Sequence, residues 1–252
     1  MFQYNLNPVF FQIGNVQIRY YGIVYALGLV LVYFLLKYAI KHNKIKNVGL
    51  DKLDDLVFYI AIGLLAGARL GYFIFYDIKA LFLSPLDIFK IWQGGMSFHG
   101  GIIGIAIAVW YFAKKNKARF YEIADMVVLP GALMLFFGRI ANFINGELIG
   151  TVTNVPWCVN YPGISGCRHP SQLYEALKNL AIFFTLFAIL GRKLQAGIRF
   201  WLFVTMYGLL RFIMTFWRED PRFLGISEGQ YLSLAMFIIG SIYLYKLTRS
   251  QR

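Results

Sequence analysis

Residues 138–150 read Gly-Arg-Ile-Ala-Asn-Phe-Ile-Asn-Gly-Glu-Leu-Ile-Gly and close a long apolar run, 126–137. A helix that merely leaves a bilayer has no need of an arginine, two asparagines and a glutamate among glycines. Such groups are costly in or near hydrocarbon and are normally kept for function. Arg139 and Asn142 are three residues apart and share one helix face. The planar fork of Arg139 suits a phosphate or a carboxylate, which it can grip with two parallel hydrogen bonds. Gly146 and Gly150 let the backbone turn or approach a ligand closely. A lone arginine here would be read as snorkelling to the interface. The whole run, with Asn145 and Glu147, is read instead as part of a site.

Other polar residues belong to the same account. His99 sits within 94–101, Gly-Gly-Met-Ser-Phe-His-Gly-Gly. An imidazole, with an ordinary pKa of about 6.5, suits proton transfer near neutrality, although a histidine at a helix start is by itself more often a packing residue. His169 precedes Pro170, a residue favoured in a first helical turn, and is followed by Tyr174 and Glu175. Tyr207 and Arg211, four apart, share a face. Tyr21 opens the first apolar run. Glu147 and Glu175 are read as partners that hold an arginine in place rather than as acid–base groups.

These residues must be positioned by membrane helices. Of the 252 residues, 59% are hydrophobic and 15% charged, against about 25% charged in an ordinary soluble domain. The net charge of +13 does not indicate nucleic acid, because the basic residues lie in short loops between apolar runs. The 24 phenylalanines and 17 tyrosines suit interfacial belts. No cleavable signal peptide is expected, since the first basic residue is Arg19. No cysteine–histidine set has zinc spacing, so no metal is expected. Cys158 and Cys167 fall in one loop, where a disulfide and two inert thiols are both open readings.

The pattern predicts an all-α integral membrane protein with about seven spans, near 20–40, 56–76, 95–113, 123–142, 171–190, 198–217 and 231–245, the last somewhat short. Residues 1–18 read as an outer surface segment with some strand character. Residues 77–93 read as an interfacial stretch carrying Leu86, Ile88, Phe89, Ile91 and Trp92. Gly63, Gly67 and Gly71 form a small-residue face for close helix packing. Pro130-Gly131 is a candidate kink. One set of loops, with the tail, carries thirteen lysines and arginines and the other set five. The first set is therefore cytoplasmic, the N-terminus outside and the C-terminus inside. Tyr21, Arg69, His99, Arg139, His169 and Arg211 then come to one depth, at the outer leaflet. Two or three arginines there suit the phosphate of an anionic lipid.

Residues 138–150, together with 94–101, the Arg168-to-Glu175 stretch, Tyr207-Gly208-Leu209-Leu210-Arg211 and the early Tyr20-Tyr21-Gly22, resemble the prolipoprotein diacylglyceryl transferases over nearly the whole chain. That resemblance implies a multi-pass enzyme of the bacterial inner membrane working near the outer leaflet, with 1–252 as one catalytic domain and 148–170 as an extracytoplasmic insertion. It implies transfer of the diacylglyceryl group of phosphatidylglycerol to the lipobox cysteine of a prolipoprotein signal peptide, without metal or soluble cofactor. His99, Arg139 and Arg211 would be catalytic, and Tyr21, Asn142, Asn145, Glu147, Gly150, His169 and Tyr207 would bind substrate with Arg139. Chemistry alone does not separate Tyr21 from Tyr20; the resemblance favours Tyr21. The sequence departs from the pattern at Thr215, where the family often has a glutamate four residues after the arginine; Glu219, one turn on, is the candidate substitute. The alternative reading is a transporter or flippase for an anionic lipid, disfavoured because no internal repeat is evident.

Overall fold

A computed structural model describes residues 1–14, 16–90 and 94–249. Two compact units divide the chain, Met1–Gly28 with Val128–Arg252, and Leu29–Val127. A helix stands at each of the seven expected places: α1 (Tyr20–Lys41), α2 (Leu53–Phe75), α4 (Phe98–Lys115), α5 (Phe120–Asn145), α6 (Ser171–Ala188), α7 (Ile198–Met214) and α8 (Glu228–Arg249). Between α2 and α4 lies the short α3 (Ile78–Leu83). Among the described residues, five helical segments are long and apolar enough to cross a membrane: Tyr20–Lys41, Leu50–Phe75, Phe120–Asn145, Ile198–Trp217 and Glu228–Arg249. The polar residues Gln172, Glu175, Lys178 and Asn179 dilute the apolar character of α6, and all four are buried.

The molecule is mostly helical rather than wholly so. Short strands precede α1: β1 (Phe2–Gln3), and β2 (Val9–Ile13) paired antiparallel with β3 (Val16–Arg19). β1 runs parallel to β4 (Val159–Asn160), and β5 (Arg222–Phe223) pairs with β6 (Ile226–Ser227). Cys158 and Cys167 form a disulfide, with Cα atoms 5.6 Å apart, so the reading as two inert thiols is wrong. The bond closes the loop that carries β4.

Several helix ends differ from the sequence reading, each for a local reason. α4 begins at Phe98 rather than near residue 95, because Gly94 and Gly95 have φ of +84° and +70° and Ser97 caps the helix, accepting from the Gly100 N–H at 3.2 Å. α8 is longer than the short span expected. It starts in a capping box: Ser227 N–H donates to Gln230 Oε1 at 3.0 Å, and Gln230 N–H to Ser227 Oγ at 3.3 Å. α5 continues through Pro130. In the stretch after α2, Asp77 caps α3 by accepting from Ala80 N–H at 3.2 Å, and a tight turn follows at Pro85–Phe89. Ile91 and Trp92 lie outside the described residues.

In the Leu29–Val127 unit, α2 and α4 pack backbone to backbone. A Cβ on Gly63 would lie 2.6 Å from the Gly104 carbonyl oxygen, one on Gly67 would lie 2.7 Å from Gly104 Cα, and one on Gly71 would lie 2.6 Å from Gly100 Cα. Arg69, buried on α2, does not reach outward. Its Nε donates to Ile88 O at 3.1 Å, Nη1 to Gly95 O at 3.0 Å and to Gly94 O, and Nη2 to Lys90 O at 3.1 Å and to Asp87 O. A guanidinium has five N–H donors, and all are spent on carbonyls of 87–95. Arg69 therefore has none left for a phosphate. In the other unit, α7 and α8 approach in the same way: a Cβ on Gly208 would lie 2.6 Å from Phe237 N.

Overpacking a close backbone contact costs typically 1–3 kcal/mol. Gly104→Val is expected to lower the thermal midpoint in detergent, by about 2 kcal/mol or more in stability. Gly131→Ala, where an added Cβ meets nothing within 4 Å, is expected to leave the midpoint unchanged or raise it. Equal midpoints for the two variants would remove the glycine contact as a determinant of the fold.

Candidate active site

The site in the Met1–Gly28, Val128–Arg252 unit is built on the way α5 ends. Gly146 has φ of +68°, a left-handed conformation that glycine adopts without cost. Its N–H returns to Phe143 O at 3.1 Å, and the N–H of Glu147 to Asn142 O at 3.0 Å, the paired bonds of a Schellman motif. This reversal folds the Glu147 side chain back over the last turn. Its carboxylate accepts from Asn142 Nδ2 and Tyr21 Oη on Oε2, and from Asn145 Nδ2 on Oε1, each at 3.0 Å. Asn142 Nδ2 also donates to Tyr21 Oη, and Asn142 Oδ1 accepts from Arg139 Nη1 at 3.1 Å. Glu147 was expected to pair with an arginine. It instead fixes the two asparagines and Tyr21, and meets Arg139 through Asn142.

Tyr4, directly after β1, supports this turn. Its hydroxyl donates to Ile144 O, its ring lies 5.0 Å from that of Tyr161, and a Cβ on Gly146 would come within 3.1 Å of it. Gln172 Nε2 donates to the Glu147 carbonyl and Ser171 Oγ to Leu148 O at 2.8 Å. The start of α6 thus holds the chain leaving α5.

Glu175 is the second centre. Its side chain is 2% exposed, with Arg211 on Oε1, and Lys178 Nζ at 2.8 Å and Arg139 Nε at 3.7 Å on Oε2. Lys178, with no exposed side-chain surface, lies 4.1 Å over the ring of Tyr207, a cation–π contact. Glu175 is thus the partner of Arg211 that Thr215 does not provide. Thr215 Oγ1 donates to Arg211 O at 2.8 Å. Glu219 is no substitute: it is bound to Arg168 at 2.5 Å.

Gly150 and His169 meet in the loop before α6. Gly150 N–H donates to His169 O at 3.1 Å, and a Cβ on Gly150 would lie 2.7 Å from both His169 Cβ and Trp217 O, so only glycine fits. Trp157 Nε1 donates to Tyr174 Oη at 2.7 Å, and Tyr174 Oη lies 3.1 Å from His169 Nδ1. The tyrosine hydroxyl therefore has its own proton to give to Nδ1. Burial pushes His169 below its ordinary value of 6.5, in keeping with a neutral, accepting ring.

The geometry thus joins Tyr21, Arg139, Asn142, Asn145 and Glu147 in one network. Arg139 links it to Glu175, Lys178, Tyr207 and Arg211. His99 belongs to the Leu29–Val127 unit, exposed on the first turn of α4. Lys178 was missed in the sequence. Its signal was available: a lysine in an apolar helix, one turn after Glu175, is a costly residue to place there.

Removing one partner of a buried ion pair costs on the order of 3 kcal/mol or more. Glu175→Gln, which leaves three cations without their shared carboxylate, is expected to lower stability by that order. A thermal midpoint equal to wild type would show the pairing to be dispensable. For His169, the unfolded chain takes up its proton at higher pH than the folded one. Acid below 6.5 therefore weakens the fold, and stability rises with pH through that window. A histidine-resolved NMR titration is expected to place the His169 midpoint below 6.5; a midpoint above it would contradict the burial described.

A family model described as prolipoprotein diacylglyceryl transferase matches residues 8–246. The chain is 42% identical over 243 residues to the phosphatidylglycerol–prolipoprotein diacylglyceryl transferase of Geobacter sulfurreducens, covering 94% of this chain and 93% of that protein. It is 41% identical over 244 residues to the protein of that name in Legionella pneumophila strain Paris, with 94% and 95% covered. For the Coxiella burnetii Dugway protein the identity is 40% over 249 residues, with 96% and 95% covered. With the signature of 138–150 folded into one hydrogen-bonded turn and matched across nearly its whole length, the chain belongs to the prolipoprotein diacylglyceryl transferase family.

Proposed function

We propose that this protein transfers the diacylglyceryl group of phosphatidylglycerol to the lipobox cysteine thiol of a lipoprotein precursor, the first step of lipoprotein maturation. The observation that carries the reading is the pair Arg139 and Arg211, both bound to the buried Glu175 in a family named for this activity. With Lys178 the cluster holds three cations and one carboxylate. It has an excess of positive charge among apolar helices, which favours an anionic ligand.

In the proposed reaction the lipid phosphate lies against Arg139 and Arg211. The precursor thiol loses its proton to a base, with His99 in that role. The sulfur attacks the glyceryl carbon that carries the phosphate ester, the C–S bond forms, and the C–O bond breaks. The electron pair of that bond leaves with glycerol phosphate, whose growing charge the arginines stabilise. Tyr21, Asn142, Asn145 and Glu147 set the orientation of Arg139, while Gly150, His169 and Tyr207 shape the surrounding wall. No cofactor enters this reaction. The whole chain acts as one catalytic domain with seven spans in the bacterial inner membrane. The N-terminus is outside, the C-terminus cytoplasmic, residues 148–170 an extracytoplasmic insertion, and the site near the outer leaflet.

Purified protein, labelled phosphatidylglycerol and a synthetic lipobox peptide test the reading. Removing one preorganised charge donor costs about 10²–10³ in rate, so Arg139→Ala is expected to lower transfer by about that factor. His99→Ala is expected to lower it by about 10² or more, as for a lost general base. Wild-type rates in both variants would sink the site assignment. Lipid bound but never transferred by the wild type would make the protein a lipid carrier instead.

A further inference from the structure

Glu175 has two oxygens and three cationic neighbours. Arg211 holds Oε1, and Lys178 Nζ stands 2.8 Å from Oε2. Arg139 Nε stands 3.7 Å from the same Oε2, beyond an ordinary N–H···O hydrogen bond. Among the described residues the hydrogen bond of Arg139 is that of Nη1 to Asn142. Most of its fork is therefore uncommitted, and its side chain is 15% exposed. Lys178 is wholly enclosed, seated on the Tyr207 ring, so it acts through the carboxylate rather than on a ligand. Without the ammonium, Oε2 would have one cation left within reach, and Arg139, its Nε now 3.7 Å away, would close onto it in a charge-assisted hydrogen bond.

We propose that Lys178 is a positioning residue. By occupying Oε2 of Glu175 it prevents Arg139 from closing onto that carboxylate, and so keeps the Arg139 fork available for an anionic headgroup. This rests on the lipid-binding role proposed for Arg139 above. The charges agree. The cluster carries a net +2 with Lys178, from three cations and one carboxylate. It falls to +1 when the lysine is neutralised and returns to +2 when Glu175 is neutralised with it.

The test is equilibrium binding of fluorescent phosphatidylglycerol in mixed micelles, which needs no turnover, beside transfer kinetics and thermal midpoints for the full-length protein. Loss of one charge-assisted hydrogen bond weakens binding by about tenfold or more. Lys178→Met is therefore expected to raise the lipid Kd and KM by about tenfold, with a smaller change in kcat. The double variant Lys178→Met/Glu175→Gln is expected to recover most of that loss, because the carboxylate competing for Arg139 is gone. A lysine that served only stability would give the opposite result, with the double variant binding no better than the single one. Wild-type affinity in Lys178→Met, or a double variant as weak as Lys178→Met, overturns the proposal. Absence of transfer by the wild type defeats the proposed enzyme, while the binding comparison still decides the role of Lys178.

Discussion

A carboxylate cannot be placed on an apolar helix without company, and Glu175 is the group around which α5, α6 and α7 are arranged. Transferring an isolated charge out of water is prohibitive, and the cost is offset only where partners are close and correctly aimed. Glu175 draws its partners from α5, α6 and α7. Each of these helices is thereby fixed in rotation by an electrostatic demand as well as by packing. The close approach of α7 to α8 at Gly208 extends that constraint to the last helix.

The second requirement is geometric. Asn142 can orient Arg139 only if its amide is held, and within α5 Arg139 engages just the amide oxygen, leaving the nitrogen to be fixed from outside the helix. The left-handed turn at Gly146 solves this by sending Glu147 back along its own helix. Asn142 then has its oxygen toward Arg139 and its nitrogen toward the carboxylate and Tyr21. The orientation of the amide follows from the network and not from a rotamer preference. A helix end, ordinarily a place of unsatisfied carbonyls, has become a hydrogen-bonded scaffold for an arginine.

Much of this was legible beforehand. Apolar runs in the sequence fall where seven of the helices stand, five of them in segments long and apolar enough to cross a membrane among the described residues, and the crowded polar residues of 138–150 include the Arg139–Asn142–Glu147 network. The small-residue face of α2 indicated close packing, which α4 meets with glycines of its own. What escaped the sequence was of two kinds. Helix ends depend on local hydrogen bonds: the Ser227–Gln230 capping box lengthened α8, and two left-handed glycines delayed α4. Partner choice depends on three-dimensional neighbours. Arg211 looked for its carboxylate along its own helix, at 215 or 219, and found it across the bundle on α6. Two cysteines in one loop gave no preference between thiols and a bond until β4 and its neighbours set their distance.

Arg69 carries a consequence of another sort. It grips the stretch after α2 wholly through main-chain carbonyls, at Asp87, Ile88, Lys90, Gly94 and Gly95. Carbonyls are supplied by every residue type. At these five residues the hold of Arg69 does not depend on which side chains they carry, although Asp77 and the Asp87–Lys90 pair add side-chain contacts of their own. Ile88 can therefore change in size without loosening that grip, because a single arginine less than two helical turns from the end of α2 holds its carbonyl and not its side chain.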